Sequence, residues 1–305
     1  MNHDQMRERV RSGQGFIAAL DQSGGSTPKA LMGYGIDESA WADEAEMFAL
    51  IHAMRSRIIQ SPCFNGDKVL GAILFERTMD GKIGGDGSVD GEAVPAALIA
   101  KGIVPFIKID KGLEAEGAGG FGGVQLMKPN PDLEALLDKA KALGVFGTKE
   151  RSVIAEANRE GIAAVVAQQF EIGRRVLAKG MMPIIEPEIS IKSATRGECD
   201  TIMRAEILTH LDGLGAGEQV MLKLTLPVVP GTFDALVDHP GVLKVVALSG
   251  GFARAEACAE LARNRGIIAS FSRALLDDLR HAMSDDEFGT SLGTAIDEIH
   301  AASVA

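Results

Sequence analysis

The octapeptide VMLKLTLP, Val220 to Pro227, sets a lysine inside an apolar run. Seven of its eight residues are apolar or a β-branched threonine, and breakers flank it (Gly217 before, Pro227 and Pro230 at and beyond its end), so it reads as a strand buried on both faces. Alternation puts Lys223 on one face with Met221 and Thr225 and leaves Leu222, Leu224 and Leu226 on the other. Burial disfavours a charged ammonium, and this is how a lysine becomes a neutral amine nucleophile near neutral pH. The competing reading is a strand-end lysine that snorkels to water. The company Lys223 keeps decides between them.

That company is spread along the chain. In MMPIIEPEI, Glu186 and Glu188 share one face of an apolar strand, which points to function or to pairing with lysines rather than to solubility. GFIAALD ends in Asp21, on one face with Ile17 and Ala19. The run Ile103 to Asp110 carries Lys108 on the face of Phe106 and Asp110, and Val145 to Lys149 continues into TKER, with Lys149 and Arg151 on one alternating face. After Asp21 comes QSGGSTPKAL. Its small residues and Pro28 are expected to break regular structure and to set the hydroxyls of Ser23 and Ser26 beside free backbone amides, as an anion cradle or as an ordinary serine-glycine turn. SGG from Ser249 to Gly251 and SFSR from Ser270 to Arg273 offer further amides, hydroxyls and one guanidinium.

Eight strands can position these groups. Their runs are Gly15–Asp21, Lys68–Phe75, Ile103–Asp110, Val145–Lys149, Met181–Ile189, Val220–Pro227, Val242–Ser249 and Ile267–Ser272. Helical spacing fills Asp37–Gln60 (with Asp37 or Ser39 as cap), Ala93–Lys101, Pro131–Leu143, Val153–Lys179, Thr201–Leu211, Arg254–Asn264, Ala274–Met283 and Asp286–His300. With no linker between halves, residues 1–305 read as one α/β domain, a single (β/α)8 TIM barrel, with an open doubly wound sheet as the alternative. The polar residues favour the barrel. Asp21, Lys108, Lys149, Glu186, Ser249 and Arg273 all fall at C-terminal strand ends, where barrels keep their active sites, and the loops after strands seven and eight commonly bind phosphate. Asp86 and Asp90 faintly suggest a calcium loop, but the spacing lacks the terminal bidentate glutamate.

Composition narrows the function. A net charge of −11 argues against broad nucleic-acid or anionic-membrane binding, while leaving room for cations gathered at one mouth. At 46% hydrophobic residues and a mean hydropathy of +0.10, the chain is globular. Cys63, Cys199 and Cys258 stand apart without a CxxC, so neither a disulfide framework nor a cysteine zinc site is expected. His3, His52, His210, His239, His281 and His300 show no paired ligand spacing, which leaves no metal site and disfavours metal-dependent chemistry. The charged N-terminus and the lack of a long apolar run lead to the expectation of a soluble cytoplasmic protein.

Three lysines, two glutamates and an aspartate facing one barrel interior suit imine chemistry. A neutral lysine attacks a ketone, neighbouring acids and bases move protons so that water leaves, and the protonated imine is an electron sink for carbon–carbon cleavage. Lys149 beside Lys223 adds an adjacent cation that favours the neutral amine.

The phrases ALDQSGGS, ILFERT, IKIDKG, IIEPEI, LKLTLP, LSGG and SFSRAL, in this order and each at a strand end, resemble class I fructose-bisphosphate aldolase, the Schiff-base, metal-independent family of glycolysis and gluconeogenesis. The resemblance implies reversible cleavage of fructose 1,6-bisphosphate to dihydroxyacetone phosphate and glyceraldehyde 3-phosphate, with no cofactor, sugar phosphates as small-molecule partners, and a homo-oligomer. It implies Lys223 as the Schiff-base lysine, Asp21 as the base at the hydroxyl of the cleaved bond, Glu186 as the proton carrier for the imine, Lys149 as the charge beside it and Glu188 as an orienting partner of the lysines. One phosphate would meet Ser249, Gly250, Ser270 and Arg273, and the other Ser23, Ser26, Lys108 and Arg151. Where animal members have a glutamate after the aspartate this chain has Gln22, the spacing at GTKER differs by one residue, and the chain ends AASVA in place of a tail ending in tyrosine. The shorter bacterial branch is the closer pattern. Two other readings stay open: another lysine-imine sugar-phosphate aldolase or transaldolase-like enzyme, and a non-catalytic sugar-phosphate-binding barrel.

Overall fold

The apolar runs fold as eight parallel strands: β1 (Phe16–Leu20), β2 (Val69–Leu74), β3 (Val104–Lys108), β4 (Gly147–Ile154), β5 (Met182–Ile189), β6 (Val220–Thr225), β7 (Val242–Leu248) and β8 (Ile267–Ala269). They pair in chain order, and the Ala19 N–H donates to the Phe271 carbonyl at 3.1 Å, which brings the chain just beyond β8 back to β1. The structure, a computed structural model, describes residues 1–84 and 91–305. The aspartates of the faint calcium pattern, Asp86 and Asp90, lie outside the described residues. Helices α1 (His3–Ser12), α2 (Ser26–Gly33), α3 (Glu44–Gln60), α4 (Val94–Ala100), α5 (Leu133–Ala142), α6 (Arg159–Ala178), α7 (Arg196–Asp212), α8 (Arg254–Leu261) and α9 (Asp285–Ser303) alternate with the strands. The fold is a single (β/α)8 TIM barrel, not the open sheet.

The barrel has two apolar layers. Inside it, Ile17, Ile73, Val104, Phe106, Ile184, Met221 and Val246 pack together, and Met6 and Val10 of α1 join this cluster from below. Phe106 spans the interior because two facing positions carry no side chain: a Cβ on Gly71 or on Gly147 would come within 2.9 Å of its ring. The other faces of the strands meet the helices. In α6, Ile162, Val165, Val166, Phe170, Gly173 and Val176 recur at helical spacing and are buried, with Gly173 lying against Pro183 and Ile185 of β5.

Local chemistry moves several element boundaries. Pro28 does not break regular structure: it sits in the first turn of α2, where its missing N–H has no acceptor to lose. The charged N-terminus forms a helix closed by a reciprocal capping box between Asn2 and Gln5. Helix α3 is capped by Asp43 instead of Asp37 or Ser39, and Asp37 caps a separate 3-10 turn, Glu38–Ala40. The helix expected from Val153 starts only at Arg159, because β4 runs on to Ile154 and pairs with β5 over eight residues; Val124–Gln125 adds an antiparallel partner at its end. After β8 a single turn, Arg273–Leu276, stands where a longer helix is expected.

The extended β4 carries polar residues on both faces. Lys149 and Arg151 point into the barrel, and Thr148, Glu150 and Ser152 alternate onto the face covered by α6. All three of the latter are buried, as is Gln169 of α6. The hydroxyls of Thr148 and Ser152, both Glu150 oxygens and both ends of the Gln169 amide have no hydrogen-bond partner among the described residues. Burial, and secondarily the charge of Asp110, push the Glu150 carboxyl well above the ordinary value of 4.5. Above that value an unfolded chain sheds a proton that the folded chain keeps, so this group makes stability fall as pH rises. Glu150→Met is therefore expected to raise stability by about 1–3 kcal/mol. The gain should be larger at pH 8 than at pH 5, as read by thermal unfolding at both.

Candidate active site

Four strands deliver one charged cluster to the barrel mouth. Asp21 follows β1, and Lys149, Glu186 and Lys223 lie on the inward faces of β4, β5 and β6. The Lys149 ammonium is 2.6 Å from Asp21 Oδ2 and 2.9 Å from Glu186 Oε2, and the Lys223 ammonium is 3.2 Å from Glu186 Oε1. Lys149 and Lys223 are 3% and 4% exposed, so Lys223 does not snorkel to water. Burial alone would raise the Asp21 carboxyl, but Lys149 and then Lys223 outweigh it and hold the group well below the usual carboxylate range. Burial likewise opposes the Lys149 charge, and Asp21 and Glu186 overcome it, raising that ammonium above its ordinary value. The two lysines share Glu186 between them, so the adjacent-cation effect expected of Lys149 is met by a carboxylate in the same contact.

The remaining predicted residues surround this cluster along one cavity of about 1010 Å³, which all of them line. Lys108 pairs with Asp110 at 2.8 Å and donates to the Ser23 hydroxyl at 3.0 Å. Ser26 is turned differently from the expectation: its hydroxyl accepts the Ser23 N–H at 2.9 Å and donates to the Ser23 carbonyl at 2.8 Å, so that amide is not free. Glu188 pairs with the Nε of Arg151, not with a lysine, which corrects its expected role as a lysine partner. Burial works against the Arg151 charge, and Glu188 outweighs it, holding the guanidinium above its ordinary value.

On the other side of the mouth, Ser249, Gly250, Ser270 and Arg273 come together after β7 and β8. The Ser270 hydroxyl is buried and without a hydrogen-bond partner among the described residues. Gly250 and Gly251 have φ of +61° and +118°, and a Cβ on Gly251 would stand 2.9 Å from Arg273 Nη2. Glycine there leaves the guanidinium its place.

No family model matches the chain. Among solved structures it is similar to a fructose-bisphosphate aldolase from Plasmodium falciparum, solved with TRAP and a small-molecule inhibitor, at a TM-score of 0.75 and 16% identity, covering 99% of this chain and 94% of that one. It is also similar to Cgl0159 from Corynebacterium glutamicum, at a TM-score of 0.57 and 15% identity, covering 98% and 92%. The likeness is one of fold.

Gln22 and Ser272 line the cavity without a role assigned from the sequence, and Gly251 stands beside it against Arg273. The Gln22 amide donates to the Ser272 hydroxyl at 2.6 Å and thereby ties the end of β1 to the loop after β8. Its signals in the sequence are adjacency to Asp21 and its standing where animal members of the resembled family have a glutamate. Gly251 sits in the SGG phrase, but the reason for it, room for a guanidinium, depends on a contact between distant loops.

Lys149 holds the buried Asp21 carboxyl in the charged state and contacts buried Glu186, so Lys149→Met is expected to destabilise the fold by about 3–5 kcal/mol at pH 7. In the wild type the Asp21 contribution is present above the ordinary carboxyl value of 3.8 and is lost as pH falls below it. In the variant, burial acts on Asp21 without the larger of its cations and favours the protonated form. The gap between the two proteins should therefore narrow from pH 7 to pH 4 in urea unfolding.

Proposed function

We propose that this barrel is a lyase that cleaves fructose 1,6-bisphosphate reversibly through an imine on Lys223. The observation that carries the reading is the buried chain of contacts Lys223–Glu186–Lys149–Asp21, which sets a candidate nucleophile, a proton carrier and a base around one point at the mouth. Glu186 takes a proton from the Lys223 ammonium along their 3.2 Å contact, and the neutral amine attacks the ketone carbon. Glu186 then returns the proton to the carbinolamine hydroxyl, which leaves as water and yields the protonated imine.

Asp21, kept ionised by Lys149, accepts the proton of the hydroxyl on the far carbon of the scissile bond. That bond breaks, its electrons pass into the imine as an enamine, and glyceraldehyde 3-phosphate departs. Protonation of the enamine carbon and attack of water on the imine release dihydroxyacetone phosphate and the free lysine. Glu186 serves the hydrolysis as it served the formation.

Ser249, Gly250, Ser270 and Arg273 suit one phosphate, the first pair through a hydroxyl and an amide and Arg273 through its fork. Lys108 with Ser23, and Arg151 oriented by Glu188, suit the other. Two cradles on opposite sides of the cluster favour a bisphosphate over a monophosphate ketose. Ser26 supports this reading indirectly, by shaping the Ser23 turn.

Borohydride trapping with dihydroxyacetone phosphate in the presence of EDTA is expected to give a stable adduct that peptide mapping assigns to Lys223. Lys223→Met should abolish both adduct and cleavage while the protein stays folded. No adduct on any lysine of a folded sample would sink the aldolase reading and favour a sugar-phosphate-binding barrel. Gly251→Ala should raise KM for the bisphosphate with little change in kcat, since its closest clash is with Arg273 Nη2 and it touches none of Lys223, Glu186, Lys149 or Asp21.

A further inference from the structure

Arg55 is a fully buried cation with no carboxylate partner among the described residues. It lies in α3 at 0% exposure and forms no ion pair among the described residues. Its guanidinium donates from Nη1 to the Thr78 hydroxyl at 2.7 Å, and from Nη2 to the Gln22 carbonyl at 2.5 Å and the Gln22 side-chain oxygen at 3.2 Å. Its Nε has no hydrogen-bond partner among the described residues. An apolar side chain would fill this space at lower desolvation cost, so packing alone does not account for an arginine here.

The acceptors account for it better. Gln22 directly follows Asp21, and the other end of its amide donates to the Ser272 hydroxyl at 2.6 Å and to the Ala19 carbonyl at 3.2 Å. Ser272 directly precedes Arg273. One rigid fork from a helix thus grips the residue that links the carboxylate at the end of β1 to the loop carrying the phosphate guanidinium. Burial lowers the Arg55 guanidinium to about 10, with Asp21 pulling in the opposite direction, so the cation also adds to the positive surroundings of that carboxylate. Lys149, Lys223 and Lys108 are the other cations acting on Asp21.

We propose that Arg55 is a positioning residue for cleavage, holding Asp21 and the Ser272–Arg273 loop in register through Gln22. The assignment rests on the aldolase reading above and extends it to a residue outside the cavity. Imine formation runs through Lys223 and Glu186, which Arg55 does not touch, whereas bond cleavage needs the base of Asp21 at the right place. The two steps should therefore separate.

The test compares Arg55→Met, Arg55→Lys and Gln22→Leu with wild type in two assays on samples shown to be folded by their melting curves. One is borohydride trapping of dihydroxyacetone phosphate on Lys223, and the other is kcat for bisphosphate cleavage. Arg55→Met is expected to lower kcat roughly 10- to 100-fold while trapping at saturating dihydroxyacetone phosphate stays near the wild-type rate. Arg55→Lys should recover part of kcat. Gln22→Leu, at a half-buried position that does not threaten folding, should reproduce the kcat loss and carries the test if Arg55→Met does not fold. An unchanged ratio of cleavage to trapping in the folded variants, including an equal fall in both, would overturn the assignment and leave Arg55 a structural residue. A wild-type protein silent in both assays would overturn the aldolase reading, and this assignment with it.

Discussion

A buried ammonium between two buried carboxylates is stable only as a set, and Lys149 with Asp21 and Glu186 is such a set. Each ion loses several kcal/mol of hydration on burial, and only close opposite charges offset that. Lys223 joins through the second oxygen of Glu186, so two cations meet two carboxylates. For the proposed imine chemistry this balance has a consequence. A proton passing from Lys223 to Glu186 neutralises both while the Lys149–Asp21 pair stays intact, so the amine is freed without leaving a bare buried charge.

The set can form only in a closed sheet. Its members come from β1, β4, β5 and β6, and the ladder that brings them together is held from below by the apolar interior around Phe106. That ring needs both Gly71 and Gly147, on β2 and β4, to lack side chains, so the strand carrying Lys149 is packed against the strands beside it at its base. Close packing there fixes the strand ends above. The mouth is thus a polar layer standing on an apolar one, and the precision of the ion contacts is inherited from the packing beneath them.

Strand existence and facing were readable in the chain because period-two alternation is a local property. Asp21, Lys108, Lys149, Glu186 and Lys223 fall on inward faces as alternation requires, and they meet in one cavity. Boundaries set by single side chains were less legible: Asn2 with Gln5, Asp43 as a cap, and Pro28 inside a first turn all look like loop chemistry in sequence. Partnerships were the least legible. Nothing local says that Glu188 takes Arg151 in preference to a lysine, that Ser26 closes on Ser23, or that Arg55 reaches Gln22 across 33 positions. Each of these is set by which loops the barrel brings side by side. Glu150 is the sharpest case, a charged residue type on an outward face that α6 covers and buries.

The charge of the whole chain and the charge of the mouth have opposite signs. The chain carries −11, yet nine basic and seven acidic side chains line the cavity, so the excess of acid resides on the rest of the surface. Most of the acidic groups at the mouth are already engaged by cations: Asp21 and Glu186 by Lys149, Asp110 by Lys108, Glu188 by Arg151 and Glu76 by Lys111. Their negative charge is spent on orienting neighbours, whereas Arg273 carries no ion pair among the described residues and faces the Ser249–Gly251 turn. A concave site with low-dielectric walls concentrates the field of its uncompensated charges, while the outer surface is screened by salt within about 10 Å. A small anion therefore meets a repulsive surface at long range and an attractive mouth at short range. The bisphosphate proposed as substrate is a compact anion of the kind such an arrangement suits.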